Sequence, residues 1–210
     1  MPAILPASLC LLGTSCFYLL FQHATYRKMS RNLALFFKGT ATFFSALLAL
    51  YGVIMQPTSG HILLLIGLIV CTIADVVLGK NLMKGMGIFA LGHVYYCGAY
   101  FFTATPSLIS LIIFLLLVLL ACLFIYPQIK KRSGDKPALP FLGYGIMLFL
   151  MLALAVNQKP VLLIGAVLFV ISDLMLAFRI FTQNKSKPFD YLCLGCYYLA
   201  QYLIALSTIL

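Results

Sequence analysis

The chain has 210 residues, of which 64% are hydrophobic and only 9% charged, with a mean hydropathy of +1.11. A soluble domain of this size carries about 25% charged residues, so lipid is the solvent that can accommodate so much apolar surface. The net charge of +10, from 14 basic against 4 acidic residues, reads as the basic cytoplasmic loops of a membrane protein; nucleic acid is excluded as a partner.

Eight apolar runs are long enough to cross a bilayer, which takes about 17–25 residues. In chain order they are Ala3–Phe21, Leu33–Met55, His61–Leu78, Met86–Phe102, Leu108–Tyr126, Leu139–Val156, Val161–Phe181 and Tyr191–Leu210. Short breaker-rich loops separate them, among them Gln56-Pro57-Thr58-Ser59-Gly60, Thr105-Pro106, Arg132-Ser133-Gly134-Asp135-Lys136-Pro137 and Lys159-Pro160. The expected fold is all-α: a polytopic bundle of about eight transmembrane helices, forming a single integral membrane domain over residues 1–210. The first run lacks a basic region before it, so it reads as a span rather than a signal peptide.

Charge sets the orientation. Arg27, Lys28 and Arg31 follow the first span, Lys80 and Lys84 the third, and Lys130, Lys131, Arg132 and Lys136 the fifth. Arg179, Lys185 and Lys187 flank the loop after the seventh, whereas the opposite loops hold only Lys159. The four basic loops therefore face the cytoplasm, both termini face away from it, and a cytoplasmic (inner) membrane is the expected location. Seven cysteines lie singly in apolar runs; the Cys193-x-x-Cys196 spacing falls within a span and reads as small buried hydrophobes.

Two segments echo each other. Gly67 to Leu78 can be laid on Gly165 to Leu176, sharing G-x7-D-x-x-L, and each precedes a span with a Tyr pair, Tyr95-Tyr96 and Tyr197-Tyr198. This pattern points to a parallel four-plus-four repeat that sets Asp75 opposite Asp173 at similar depth.

Ionisable residues inside a membrane are expensive, and they are functional candidates for that reason. Asp135 and Asp190 fall in or beside loops and read as solvated. Asp75 and Asp173 lie roughly 5 and 12 Å in from the cytoplasmic edge, at about 1.5 Å per residue. The same count brings Lys38, Tyr144, His93, Tyr197, Tyr198 and Gln201 into one slab, roughly 8–15 Å deep. A packing role, such as a buried Lys38–Asp75 pair or His93 as an interhelical hydrogen-bonder, accounts for any one of these but poorly for the set. One deep histidine, His93, is too few ligands for a catalytic zinc. Ser172 abuts Asp173 without a G-x-S-x-G motif, and the YD and GxGD motifs of membrane aspartyl proteases are absent. Two carboxylates in low dielectric suit acid chemistry, because one keeps its proton while the other is ionised.

Ile171-Ser172-Asp173-Leu174-Met175-Leu176-Ala177 with Phe169, Gly92-His93-x-x-Tyr96 after Asp75-x-x-Leu78, Tyr197-Tyr198-x-x-Gln201 and Tyr144-x6-Met151-x3-Ala155 resemble the YhhN family, the lysoplasmalogenases. Lys38 matches an early lysine of the family, with Gly39 where a proline is usual, and Ala74 stands where glycine more often precedes the first aspartate. The resemblance implies hydrolysis of the vinyl ether of a lysophospholipid substrate, a lysoplasmalogen, to a fatty aldehyde and glycerophosphoethanolamine or glycerophosphocholine, with no metal or organic cofactor. It implies Asp75 and Asp173 as the catalytic acids. Lys38, His93, Tyr96, Tyr144, Ser172, Tyr197, Tyr198 and Gln201 are then the substrate-binding or orienting residues. A small proton-coupled transporter is the competing reading; the polar residues stop at mid-membrane, which favours an enzyme.

Overall fold

The computed structural model describes residues 3–132, 138–182 and 186–210. Asp135, Lys136, Lys185 and the rest of 133–137 and 183–185 lie outside the described residues. Every regular element among the described residues is helical. They are α1 (Ile4–Tyr26), α2 (Arg31–Met55), α3 (Ser59–Leu78), α4 (Leu82–Thr103), α5 (Leu108–Leu120), a π-helical turn (Ala121–Ile125), α6 (Tyr126–Arg132), α7 (Ala138–Ala155), α8 (Pro160–Thr182) and α9 (Lys187–Leu206). Helix α5, the π turn and α6 run on as one 25-residue span. With it, seven helices are long and apolar enough to cross a membrane; α4, at 22 residues, matches them in length.

Local chemistry sets the starts. Ser30, Thr58, Asn81 and Ser107 each cap a helix by accepting the backbone N–H three residues on, from Leu33, His61, Lys84 and Ser110, which satisfies donors that the first turn leaves orphaned. The cap at Asn81 starts α4 four residues before the expected Met86. Likewise α9 starts at Lys187, with Pro188 in its first turn, rather than at Tyr191. That shift corrects the reading of Asp190. It is not a solvated loop residue but lies in the first turn of α9, with a side chain 13% exposed and paired with Arg179 at 2.8 Å.

Helices α1, α2, α3, α4, α7, α8 and α9 pack in sequence, and α9 closes the bundle against α1 and α2; α5 lies outside, against α7. Large side chains on α5 and the π turn, including Leu108, Ile112, Leu116, Leu119 and Phe124, are exposed, as expected of a lipid-facing helix. The close pairs use small residues. A Cβ on Gly67 would fall 2.5 Å from the Tyr96 ring of α4, and one on Gly165 would fall 3.1 Å from the Ala200 carbonyl of α9. At one end of the bundle the Tyr202 hydroxyl of α9 donates to the Ala7 carbonyl of α1 at 3.2 Å. At the other, Lys187 lies over the Tyr26 ring and Arg31 donates to the Gly79 carbonyl. The start of α1 and the end of α9 thus lie at one end of the bundle, and Tyr26, Arg31, Gly79 and Lys187 at the opposite, basic one.

Candidate functional site

A cavity of about 300 Å³ opens inside the bundle, and Lys38, Asp75, Tyr144, Ser172, Asp173 and Tyr197 line it. Its walls come from the C-terminal halves of α3 and α8, the N-terminal halves of α2, α4 and α9, the π turn with α6, and α7. All of these lie toward the basic face, so the cavity occupies one half of the bundle.

Asp75, 1% exposed, is held on every side. Its Oδ1 pairs with Lys38 Nζ at 3.1 Å. Its Oδ2 accepts from Thr42 Oγ1 at 2.5 Å and from the Tyr197 hydroxyl at 2.7 Å. Behind these, Gln201 Nε2 donates to the Tyr197 oxygen at 3.1 Å, and the Tyr96 hydroxyl donates to Gln201 Oε1 at 2.7 Å. Tyr198 donates to the Lys38 carbonyl at 3.3 Å. The spacing of α2 makes this arrangement: Lys38 and Thr42 are four apart, one above the other on one helix face, as Tyr197 and Gln201 are on α9.

Asp173 is held differently. It is half-buried, and its Oδ2 accepts from the Tyr144 hydroxyl of α7; Lys38 pairs with the other aspartate. Its neighbour Ser172 is buried, and the Ser172 carbonyl accepts from the Cys193 thiol at 3.3 Å.

The residues expected at one depth therefore separate into two layers. Lys38, Asp75, Tyr144, Ser172, Asp173 and Tyr197 reach the cavity, whereas His93, Tyr96, Tyr198 and Gln201 lie behind its wall. His93 is fully buried; its Nδ1 donates to the Phe89 carbonyl at 2.7 Å, since a carbonyl only accepts. Its Nε2 has no hydrogen-bond partner among the described residues. The ring sits edge-on to Phe169 at 4.8 Å and to Tyr144 at 5.5 Å between centroids, so His93 buttresses the tyrosine that holds Asp173. Two contributors are not singled out as site residues by the sequence: Thr42, a neutral hydroxyl on Asp75, and Arg179, which flanks the loop after the seventh span and also lines the cavity.

Chemically the cavity offers a fixed ion pair, a second carboxyl with a hydroxyl donor, and mostly apolar walls. Met86, Phe89, Ile125, Ile129, Leu148 and Phe149 are among the latter. Such a site accepts an apolar chain and presents two carboxyl groups to its polar end.

Fold and site together define an integral, multi-pass membrane protein with an acidic cavity inside its helix bundle. The chain belongs to the YhhN family, whose sequence pattern matches residues 33–208. It is 32% identical to lysoplasmalogenase TMEM86B of Homo sapiens over 160 residues, covering 74% of this chain and 68% of the relative. It is also 32% identical to lysoplasmalogenase TMEM86B of Mus musculus over 159 residues, covering 74% of this chain and 67% of that protein. No solved structure matches the chain.

Proposed function

We propose that the protein is a lysoplasmalogenase that hydrolyses the vinyl ether of 1-alkenyl lysophospholipids through Asp75 and Asp173. The observation that carries this reading is the presence of two unequal carboxyl groups on the wall of one largely apolar cavity. Kinship with proteins named lysoplasmalogenase supports the choice of substrate.

Asp75, opposite Lys38 and with two hydroxyl donors, serves as the fixed anion. Asp173, which accepts from Tyr144, serves as the proton donor. Its proton passes to the distal alkene carbon, and the double-bond electrons form the new C–H bond, leaving an oxocarbenium ion. The Asp75 carboxylate offsets that positive charge. Water adds to the cationic carbon and returns a proton to the Asp173 carboxylate. The resulting hemiacetal then breaks its bond to the glycerol oxygen, which takes up the hydroxyl proton, and yields aldehyde and alcohol. General acid catalysis of this kind contributes about 10²–10⁴-fold.

A carrier would need a polar route to both faces, and the confinement of the cavity to one half of the bundle speaks for hydrolysis. The basic face is the cytoplasmic one on this reading, both termini lie on the other side, and the membrane is of the inner, cytoplasmic type. The parallel repeat is part of the same proposal. Gly67 and Gly165, each eight residues before its aspartate, both sit where the following helix packs closely.

The test is aldehyde release by detergent-purified protein from 1-alkenyl lysophosphoethanolamine, with the 1-alkyl ether as control. Aldehyde from the vinyl ether alone is the expected result. No aldehyde from folded, monodisperse protein refutes the hydrolase reading.

A further inference from the structure

Arg179 lies in the last turn of α8, six residues beyond Asp173, and lines the same cavity. We propose that its guanidinium is the phosphate-binding group of the site, a role that deepens the lysoplasmalogenase reading and rests on it. A lysophospholipid must present a phosphate diester close to its vinyl ether, and that anion needs a cation with donors to spare. Among the described residues lining the cavity, the cations are Lys38 and Arg179.

Lys38 is committed. Its Nζ pairs with Asp75 Oδ1 at 3.1 Å and lies 3.4 Å from the Asp75 carbonyl, and drawing it to a phosphate would strip the buried carboxylate of its counterion. Arg179 is placed otherwise. Its Nε pairs with Asp190 Oδ1 at 2.8 Å, and Asp190 Oδ2 is in turn 3.3 Å from the Tyr26 hydroxyl. The ion pair runs through Nε rather than through the Nη groups that form the guanidinium fork. A planar guanidinium fork, with a carboxylate drawn to its Nε side, suits bidentate phosphate binding.

The spacing agrees. Six residues of α8 between Asp173 and Arg179 amount to roughly 9 Å along the helix. Seven bonds join the distal alkene carbon of a 1-alkenyl lysophospholipid to its phosphorus, and an extended chain advances about 1.2 Å per bond, giving roughly 8 Å. A substrate laid along α8 thus brings its alkene to Asp173 and its phosphate to Arg179, with the headgroup toward the basic face. The Nε–Asp190 pair sets the position without cancelling the local field, because Arg27 and Lys187 lie at the same end of the bundle, around Tyr26 and Tyr191.

The experiment compares two non-hydrolysable ligands that differ only in the phosphate: 1-alkylglycerol 3-phosphate and the matching 1-alkylglycerol. Binding of each to the purified full chain is measured for the native protein, Arg179→Gln and Arg179→Lys. The expected result is that Arg179→Gln weakens the phospholipid about tenfold or more, the scale of a lost charge-assisted hydrogen bond. The alkylglycerol is bound as before, which also certifies that the variant is folded. Arg179→Lys, a charge without the fork, regains only part of the affinity. Equal losses for both ligands, or no loss for either, overturn the assignment. Because the readout is binding, it stands apart from aldehyde release: a protein that binds phosphate through Arg179 yet releases no aldehyde keeps this inference and loses the hydrolase reading.

Discussion

The Lys38–Asp75 pair is open to a quantitative test that does not depend on any substrate. Both side chains are buried, at 10% and 1% exposure, and their charged atoms are 3.1 Å apart. At an effective dielectric of about 20 the attraction between unit charges at that distance is about 5 kcal/mol. Removing one partner of a buried pair costs about 3–5 kcal/mol, because the other charge is stranded, whereas removing both restores much of the loss. Lys38→Met and Asp75→Asn should therefore each lower the melting temperature by on the order of 10 °C, at about 2–4 °C per kcal/mol for a chain of this size. The double variant should melt no lower than the worse of the two. The chain contains no Trp, so unfolding is best followed in detergent by the exposure of Cys71, a fully buried thiol, to a thiol-reactive dye. Losses that simply add, within about 0.5 kcal/mol, would refute the idea that the two charges are held as one unit.

Two further outcomes follow from the cavity wall. Asp173→Asn should abolish aldehyde release while shifting the melting temperature far less than Asp75→Asn does. Tyr144→Phe should lower kcat about tenfold or more with KM little changed, since it removes the donor to Asp173; unaltered turnover in either variant counts against the acid role. A Cβ at Gly145 meets nothing within 4 Å and the residue lines the cavity, so Gly145→Phe should fill chain space without strain and shift preference toward shorter alkenyl chains. An unchanged chain-length profile would place the chain elsewhere.

How much of this was legible in the residues depends on which coordinate is asked for. Depth can be counted at about 1.5 Å per residue, and the count brought Lys38, Asp75, Tyr144, Asp173 and Tyr197 to one level, where the cavity lies. Rotation about the helix axis cannot be counted in the same way. A soluble helix declares its inner face by its apolar stripe, but in lipid both faces are apolar, and α4 carries His93 and Tyr96 inward among residues that differ little in hydropathy from those facing out. That is why these two, with Tyr198 and Gln201, share a depth with the cavity residues yet stand behind its wall. Thr42 was within reach, four residues beyond Lys38 on the same face, but a neutral hydroxyl draws no attention in a search for charges. Arg179 reads from the sequence as one of the basic residues flanking the loop after the seventh span, and its place on the cavity wall depends on the same uncounted rotation. Asp190 followed the expected start of α9, and moved from loop to helix once Lys187 and Pro188 proved to open that helix.

The contrast between the two aspartates is itself a structural argument about mechanism. Asp75 on α3 is tied to Lys38 and Thr42 on α2 and to Tyr197 on α9, and Gln201 extends the chain of hydrogen bonds to Tyr96 on α4. Four helices must shift for that carboxylate to move. A group held so firmly is poorly suited to following a proton to carbon, but it is well suited to stabilising charge, since a preorganised anion needs no rearrangement when a cation forms beside it. Asp173, half-buried and bonded to Tyr144, has the looser mounting that proton delivery requires. On the proposed reading the bundle therefore spends its rigidity on the electrostatic partner and leaves the acid free to adjust. Neutralising Asp75 should accordingly damage fold and turnover together, and neutralising Asp173 turnover alone.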